Sequence, residues 1–142
     1  MKSDLMLVQR VANESTFSAA DGVAIFYRHW PSQNQQAPKR AIILFHRGHE
    51  HSGRQQAVVG SLEMPNYDCF AWDARGLGKS PGERGFAENF GVLVKDANDF
   101  ANPIYAGIAR LKSKTICAVC KAITGNNASL RHHQSLTSAG VC

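Results

Sequence analysis

The sequence lacks any long run of apolar residues. Residues 1–15 mix Lys2, Asp4, Arg10 and Asn13 among apolar side chains, unlike the uninterrupted apolar segment of a secretory signal peptide. No stretch approaches the ~18 apolar residues of a membrane-spanning helix. These absences predict a cytoplasmic protein with no transmembrane segment.

Cysteine is also scarce. The four cysteines are Cys69, Cys117, Cys120 and Cys142. Four cysteines at such uneven spacing argue against the disulfide framework of a small secreted domain. Cys117 and Cys120 form a C-x-x-C pair, but no second pair stands at zinc-finger spacing, and Gly125 interrupts early the helix that a redox motif would need. We therefore predict no metal and no cofactor, and attribute this pair to chance.

Acidic and aromatic residues are missing from the C-terminal part. Residues 1–105 hold eleven Lys and Arg and all eleven Asp and Glu, whereas residues 106–142 hold five Lys and Arg, no acid and no aromatic residue. The net charge of +5 therefore belongs to this tail. The break predicts an N-terminal extension (1–14), a domain (15–105) and a basic, cysteine-containing tail (106–142) that is unrelated to the domain or out of frame.

The first half of the domain predicts extended structure. Residues 14–19 and 23–30 form two extended runs, and Asp21-Gly22 between them favours a two-residue hairpin turn. Residues 41–45 are continuously apolar, as in a strand buried on both faces of a parallel sheet.

The second half alternates helix and strand. The pattern predicts a short helix over 53–64, a strand over 67–72, a glycine-rich loop over 73–85 and an amphipathic helix over 86–105. Strands that alternate with helices indicate an α/β fold with parallel crossovers.

Two loop sequences resemble one family. Residues 46–54, H-R-G-H-E-H-S-G-R, are similar to the H-G-x-x-E-H-S-G-R loop of monoacylglycerol lipases and bacterial lysophospholipases, the serine aminopeptidase S33 type of α/β-hydrolase. Residues 73–85, D-A-R-G-L-G-K-S-P-G-E-R-G, resemble the D-x-R-G-H-G-x-S-x-G-x-R-G segment of the same group. The resemblance covers residues 15–105. It implies a partial α/β-hydrolase fold, an N-terminal β-hairpin followed by β-α-β-α, with an incomplete sheet.

The resemblance assigns a role to the first loop. In this family, the loop after the third strand donates a backbone N–H to the oxygen that becomes negative during acyl transfer. The oxyanion-hole loop here would be His46, Arg47 and Gly48, with Gly48 as the donor and His46 as a brace. Arg47 replaces the glycine of many relatives. Glu50 would cap or orient the return of the loop.

Other interpretations of the two loops are weaker. His46, His49 and His51 could bind a metal, but one loop seldom supplies a full tetrahedral site and no acid cluster accompanies them. Ser80 sits in a G-x-S-x-G pattern, yet the residue after a nucleophile must donate its N–H, and Pro81 has none.

A phosphate-binding interpretation of the second loop also fails. The P-loop pattern needs a glycine five positions before Gly78, where Asp73 stands, and a dinucleotide fingerprint needs a third glycine where Pro81 stands.

The sequence provides no identifiable catalytic residue. An intact relative needs a serine on the elbow after the fifth strand, then an acid and a histidine. Residues 114–125 contain no serine at an elbow, and no acid follows Asp99. We therefore expect a truncated hydrolase that is inactive alone. The resemblance implies a serine hydrolase of carboxylic esters whose partner is a small lipid ester, a monoacylglycerol or lysophospholipid, without specific nucleic-acid binding. The alternative is a non-enzymatic nucleotide- or nucleic-acid-binding module.

Overall fold

One mixed sheet organises the chain. The computed structural model describes residues 9–34, 40–46, 48–110 and 115–120, and of 108–110 and 115–120 it describes the backbone alone. The strands are β1 (Asn13–Ser18), β2 (Ala24–Trp30), β3 (Arg40–Phe45), β4 (Tyr67–Trp72) and β5 (Thr115–Cys120). They form a five-stranded sheet in the order β1-β2-β4-β3-β5. The helices are α1 (Gln55–Ser61), which follows a 3₁₀ turn at Ser52–Arg54, and α2 (Phe90–Arg110).

The N-terminal hairpin is confirmed, but its predicted two-residue turn is wrong. β1 and β2 pair antiparallel from Asn13 opposite His29 to Ser18 opposite Ala24. The Ala19 N–H donates to Val23 O at 2.9 Å, so the hydrogen-bonded pairing of the two strands ends at these residues. The connection is therefore longer than Asp21-Gly22 alone. Gly22 takes the left-handed conformation that the reversal needs, at φ +83°.

The parallel part of the sheet is confirmed at β3 and β4. Their register runs from Arg40 opposite Tyr67 to Leu44 opposite Ala71. Residues 41–44 of β3 are all buried, because α1 covers one face of the sheet and α2 the other. The predicted helix over 53–64 is present as the 3₁₀ turn and α1.

Regular structure continues beyond residue 105. α2 extends to Arg110, with Pro103 inside the helix. β5 then pairs parallel with β3, from Arg40 opposite Thr115 to Phe45 opposite Cys120. The C-x-x-C pair thus lies within an extended strand. At the other end of the chain, β1 begins at Asn13, and the Arg10 guanidinium is buried against the sheet, where it donates to Trp30 O at 2.8 Å.

Helix α2 begins later than its apolar pattern predicts. Asn89 Oδ1 accepts the Val92 N–H at 3.1 Å and caps the first turn, so the residues from 86 to 89 belong to the preceding loop. Phe90 is 78% exposed, whereas Phe100 on the same helix is 3% exposed. The helix therefore packs on the sheet through its middle and C-terminal turns.

Aromatic packing around Phe100 fixes α2 to the sheet. Its ring lies 5.2 Å from Phe17, 5.4 Å from Tyr27 and 5.9 Å from Trp72, measured between ring centroids. Such ring pairs add to the free energy of burial. The opposite face of the sheet has its own core under α1, centred on Trp30, Ile42 and Val59.

Phe100→Ala should lower the free energy of unfolding by about 3–5 kcal/mol, because it leaves a cavity among these rings. Phe90→Ala is the matched control on the same helix and should change it by less than about 0.5 kcal/mol. Urea denaturation followed by circular dichroism measures both. Equal losses from the two variants would contradict this packing of α2.

Candidate functional site

The loop that leaves β3 is held at its start by a histidine. His46 Nε2 accepts the Ala74 N–H at 2.9 Å, and Ala74 follows the neighbouring strand β4. Gly48 lies two residues further on, exposed, with open space around the position of a Cβ. His49 reverses the chain in the left-handed region at φ +65°. Arg47, the third residue of the predicted oxyanion-hole loop, lies outside the described residues.

The return of this loop into α1 is built from local hydrogen bonds. His51 caps the 3₁₀ turn, since its Nδ1 accepts the Gly53 N–H at 3.1 Å. Ser52 is fully buried, and its Oγ accepts from Arg28 Nη1 at 2.6 Å. Glu50 lies 4.0 Å from the Arg54 guanidinium, one helical turn away. These contacts fit the orienting role expected of Glu50, which stays a prediction.

A buried carboxylate joins this loop to the next one. Asp73 follows β4 directly and has no exposed surface. Its Oδ1 accepts the Ser52 N–H at 2.5 Å, and its Oδ2 accepts the Lys79 N–H at 2.8 Å. One side chain therefore ties the loop after β3 to the loop after β4.

Ser80 has a structural role in this arrangement. Its side chain is buried, and its Oγ accepts the Phe26 N–H at 2.9 Å while donating to Asp73 O. Pro81 O accepts the Gly76 N–H at 2.9 Å. A hydroxyl whose proton is held by a backbone carbonyl has no base to activate it. The geometry agrees with the sequence argument that Ser80 is a poor nucleophile.

The glycines of the second loop serve close packing within the protein. A Cβ on Gly78 would collide with the Asp73 carboxylate, and a Cβ on Gly76 would collide with Glu83 O. Both residues also have positive φ. Their spacing is therefore explained by the loop itself without a bound phosphate.

An ion-pair network fastens the second loop to α2 and to the hairpin. Arg75 donates to both carboxylate oxygens of Asp96, at 3.0 and 2.9 Å, and to Asp21 Oδ2 at 2.7 Å. Asp96 is buried. The hydrogen bonds to Asp96, and then those to Asp21, raise the pKa of Arg75 above its ordinary value. The two acids thus pair with this guanidinium where it crosses between the elements.

The three histidines of the first loop are not assembled as metal ligands. His46 Nε2 and His51 Nδ1 each accept a backbone N–H within the fold. In the part of the chain that the structure describes, no three His, Cys, Asp or Glu side chains come together in a group that could hold a metal ion.

Two parallel strands end side by side at the edge that carries the first loop. Phe45, the last residue of β3, lies opposite Cys120, the last residue of β5. Neighbouring strands are about 4.8 Å apart. The C-terminal ends of β3 and β5 therefore lie next to each other. Residues 121–142 themselves lie outside the described part of the chain.

Sequence reasoning missed several residues that build this edge. The composition break places β5 in the unrelated tail, although residues 115–120 include the β-branched Thr115, Ile116 and Val119 typical of a buried strand. The tie formed by Asp73 was also missed, because its partner is a backbone N–H that no side-chain pattern marks.

Comparison with known proteins gives a family. The family model for serine aminopeptidase, S33, matches residues 36–121. An uncharacterised Escherichia coli protein, YnbC, is 50% identical over 91 residues, which are 64% of this chain and 15% of that protein. Human monoglyceride lipase is 38% identical over 77 residues, which are 54% of this chain and 25% of the lipase. The chain thus spans a quarter or less of these relatives.

A solved structure gives the fold. Monoglyceride lipase from Saccharomyces cerevisiae, a soluble variant in complex with a substrate analogue, superposes with a TM-score of 0.66 at 22% identity, over 80% of this chain and 36% of that one. In the described part of this chain, no helix is long and apolar enough to cross a membrane. The comparisons give no support to a nucleotide- or nucleic-acid-binding module.

The α/β architecture confirms the predicted fold class, and the family match covers more than half of the sequence. This chain belongs to the serine aminopeptidase S33 family of α/β-hydrolases, of which it represents an N-terminal portion similar to monoglyceride lipases.

Proposed function

We propose that this chain builds the oxyanion-loop half of a serine hydrolase that cleaves carboxylic esters of monoacylglycerol or lysophospholipid type. The observation that carries the proposal is the common edge of β3 and β5, where Phe45 lies opposite Cys120. α/β-Hydrolases make their oxyanion hole from two backbone N–H groups. One lies in the loop after β3, and the other lies beside the nucleophile, at the end of the strand that corresponds to β5 here. The names of the monoglyceride lipases among the relatives support the substrate class.

Gly48 is the donor in this proposal. It lies on the loop after β3, it is exposed, and nothing crowds its Cα. A preorganised backbone N–H at this place would stabilise the negative charge that develops on the ester carbonyl oxygen. His46 anchors the start of the loop through its hydrogen bond with Ala74 and has no direct part in the chemistry.

The sequence directly after β5 offers no nucleophile. Residues 121–125, which come directly after β5, read K-A-I-T-G and contain no serine. No acid stands between Asp99 and Cys142. We infer that the chain by itself forms no acyl-enzyme. The cytoplasmic location expected from the sequence is part of this proposal.

The boundary of the tail moves in this proposal. The family match reaches residue 121, α2 extends to Arg110, and β5 pairs with β3 as part of the same sheet. We therefore place the end of the hydrolase-related segment after β5 and not at residue 105. Residues 121–142, which lack acids and aromatic residues, are the part that we propose to be unrelated or out of frame. Reading the coding DNA in its other two frames tests this proposal. If neither frame restores an elbow serine, the tail is not out of frame.

A fluorophosphonate probe should label no serine of the purified chain, because an activated serine needs a base beside it and Ser80 has none. Peptide mapping by mass spectrometry after exposure to the probe makes the measurement, with the Escherichia coli relative as a parallel sample. Labelling at Ser80 would mean that its hydroxyl is free to react and that our assignment of its hydrogen bonds is wrong.

A chimaera tests the proposed oxyanion donor. Residues 1–120 of this chain are joined to the part of the Escherichia coli relative that lies beyond the equivalent of β5, and monoacylglycerol hydrolysis is measured. Gly48→Pro removes the N–H and should lower kcat by about 10²–10³-fold. Gly48→Ala keeps the N–H and has space for the methyl group, so its kcat should stay within a few-fold.

Each outcome of the chimaera experiment has a distinct meaning. A parent relative that hydrolyses monoacylglycerol beside a folded but inactive chimaera would contradict the proposed function. An active chimaera in which the Pro and Ala variants lose equal activity would remove Gly48 from the oxyanion hole. Thermal melts of both variants show whether the Pro variant is folded.

A further inference from the structure

We propose that Asp73 is the positioning residue of the oxyanion loop, a role that rests on the function proposed above. Its carboxylate divides its oxygens between two loops, Oδ1 to the Ser52 N–H and Oδ2 to the Lys79 N–H. Ser52 ends the loop that contains Gly48, and Lys79 belongs to the loop after β4. Asp73 thereby holds the end of the loop that carries Gly48, although it does not touch the reacting atoms.

Burial makes this tie stronger than an ordinary surface contact. Asp73 has no exposed surface, so water cannot replace either N–H if the loop moves away. A carboxylate buried without its donors is strongly disfavoured, whereas hydrogen bonds between an ionised oxygen and N–H are short and strong. Any displacement of residues 48–52 therefore carries the cost of exposing or unpairing this charge.

The backbone of Asp73 is itself fixed by the sheet, as a positioning residue requires. Its own N–H donates to Phe26 O at 2.8 Å, a hydrogen bond between the backbone of β2 and the residue that directly follows β4. Gly78 leaves room for the carboxylate, since a Cβ there would occupy the same space. His46 adds a second tie between the same two loops through the Ala74 N–H. The loop with Gly48 is thus bound at both ends to the residues that directly follow β4.

The oxygen and nitrogen of an amide cannot replace the two carboxylate oxygens of Asp73. In Asp73→Asn one position becomes an NH₂ group, which can accept from neither loop. The variant keeps the size of the side chain but can satisfy only one of the two N–H donors. Its effect should therefore appear as loosening of one loop and not as loss of the fold.

The test uses the full-length chain labelled with ¹⁵N, with backbone order parameters measured by NMR relaxation. In Asp73→Asn the order parameters of the Gly48 and His49 amides should fall from about 0.85 to below about 0.6. Hydrogen exchange at the Ser52 amide should become at least tenfold faster than in the unmodified chain.

Ser80→Ala is the matched control. It removes another buried polar group, which hydrogen-bonds the Asp73 carbonyl and the Phe26 N–H, but it leaves the Asp73 carboxylate and its two N–H donors in place. It should lower the stability of the chain and leave the order parameters of Gly48 and His49 unchanged. Equal mobility of these amides in both variants would mean that Asp73 has a general structural role, and it would overturn the proposal.

A second pair of variants covers the case in which Asp73→Asn does not fold. Ser52→Pro removes the N–H that Asp73 accepts, at the first position of the 3₁₀ turn, after a residue already extended at φ −152° and ψ 164°. Ser52→Ala keeps that N–H and removes only the hydroxyl. Mobility of Gly48 in the Pro variant alone supports the proposal, and an ordered Gly48 in both contradicts it.

The NMR measurement of loop order does not depend on catalytic turnover. Failure of ester hydrolysis in the chimaera would remove the proposed function and leave the loop result standing. An ordered loop in Asp73→Asn would remove the positioning role and leave ester hydrolysis unaffected.

Discussion

A single buried carboxylate sets the arrangement of the edge where this chain carries its candidate site. Asp73 is fully buried, and a charge in that position costs several kcal/mol unless hydrogen bonds replace its water. The replacement comes from the backbone of two different loops, at Ser52 and at Lys79. Neither loop can adopt another conformation without leaving the carboxylate unpaired. The two sequence motifs, residues 46–54 and 73–85, therefore form one structural unit.

The sheet makes this unit possible. β3 and β4 are parallel, so their C-terminal ends lie at the same edge and the loops that follow them are neighbours. The aromatic core around Phe100 holds α2 against one face, and Trp30 with Val59 holds α1 against the other. Arg75 then fastens the second loop to Asp96 of α2. The loop positions thus follow from elements that are packed on both faces of the sheet.

Much of this could be predicted from the sequence, for identifiable reasons. The apolar run of residues 41–45 and the segment at 67–72 are short and rich in β-branched or aromatic residues, which favours strands over helices. The helix start at Phe90 was missed because apolar spacing continues back to Phe86, while a cap at Asn89 decided the boundary. β5 was missed because its neighbours in sequence have the composition of the tail. Asp73 could be located in a motif, but a hydrogen bond to a distant backbone N–H has no signature in residue types.

The same contacts explain how half of a catalytic site can be built without the other half. In the described part of the chain, the hydrogen bonds of His46 with Ala74 and of Ser52 with Asp73 hold the two ends of the loop after β3, and neither involves a nucleophile or a catalytic base. An oxyanion donor on such a loop is preorganised before any substrate or serine is present, which is the condition for electrostatic stabilisation of a transition state. In the proposed function, the oxyanion loop is therefore separated from the nucleophile at the end of β5, and the match to the family model ends one residue later, at residue 121.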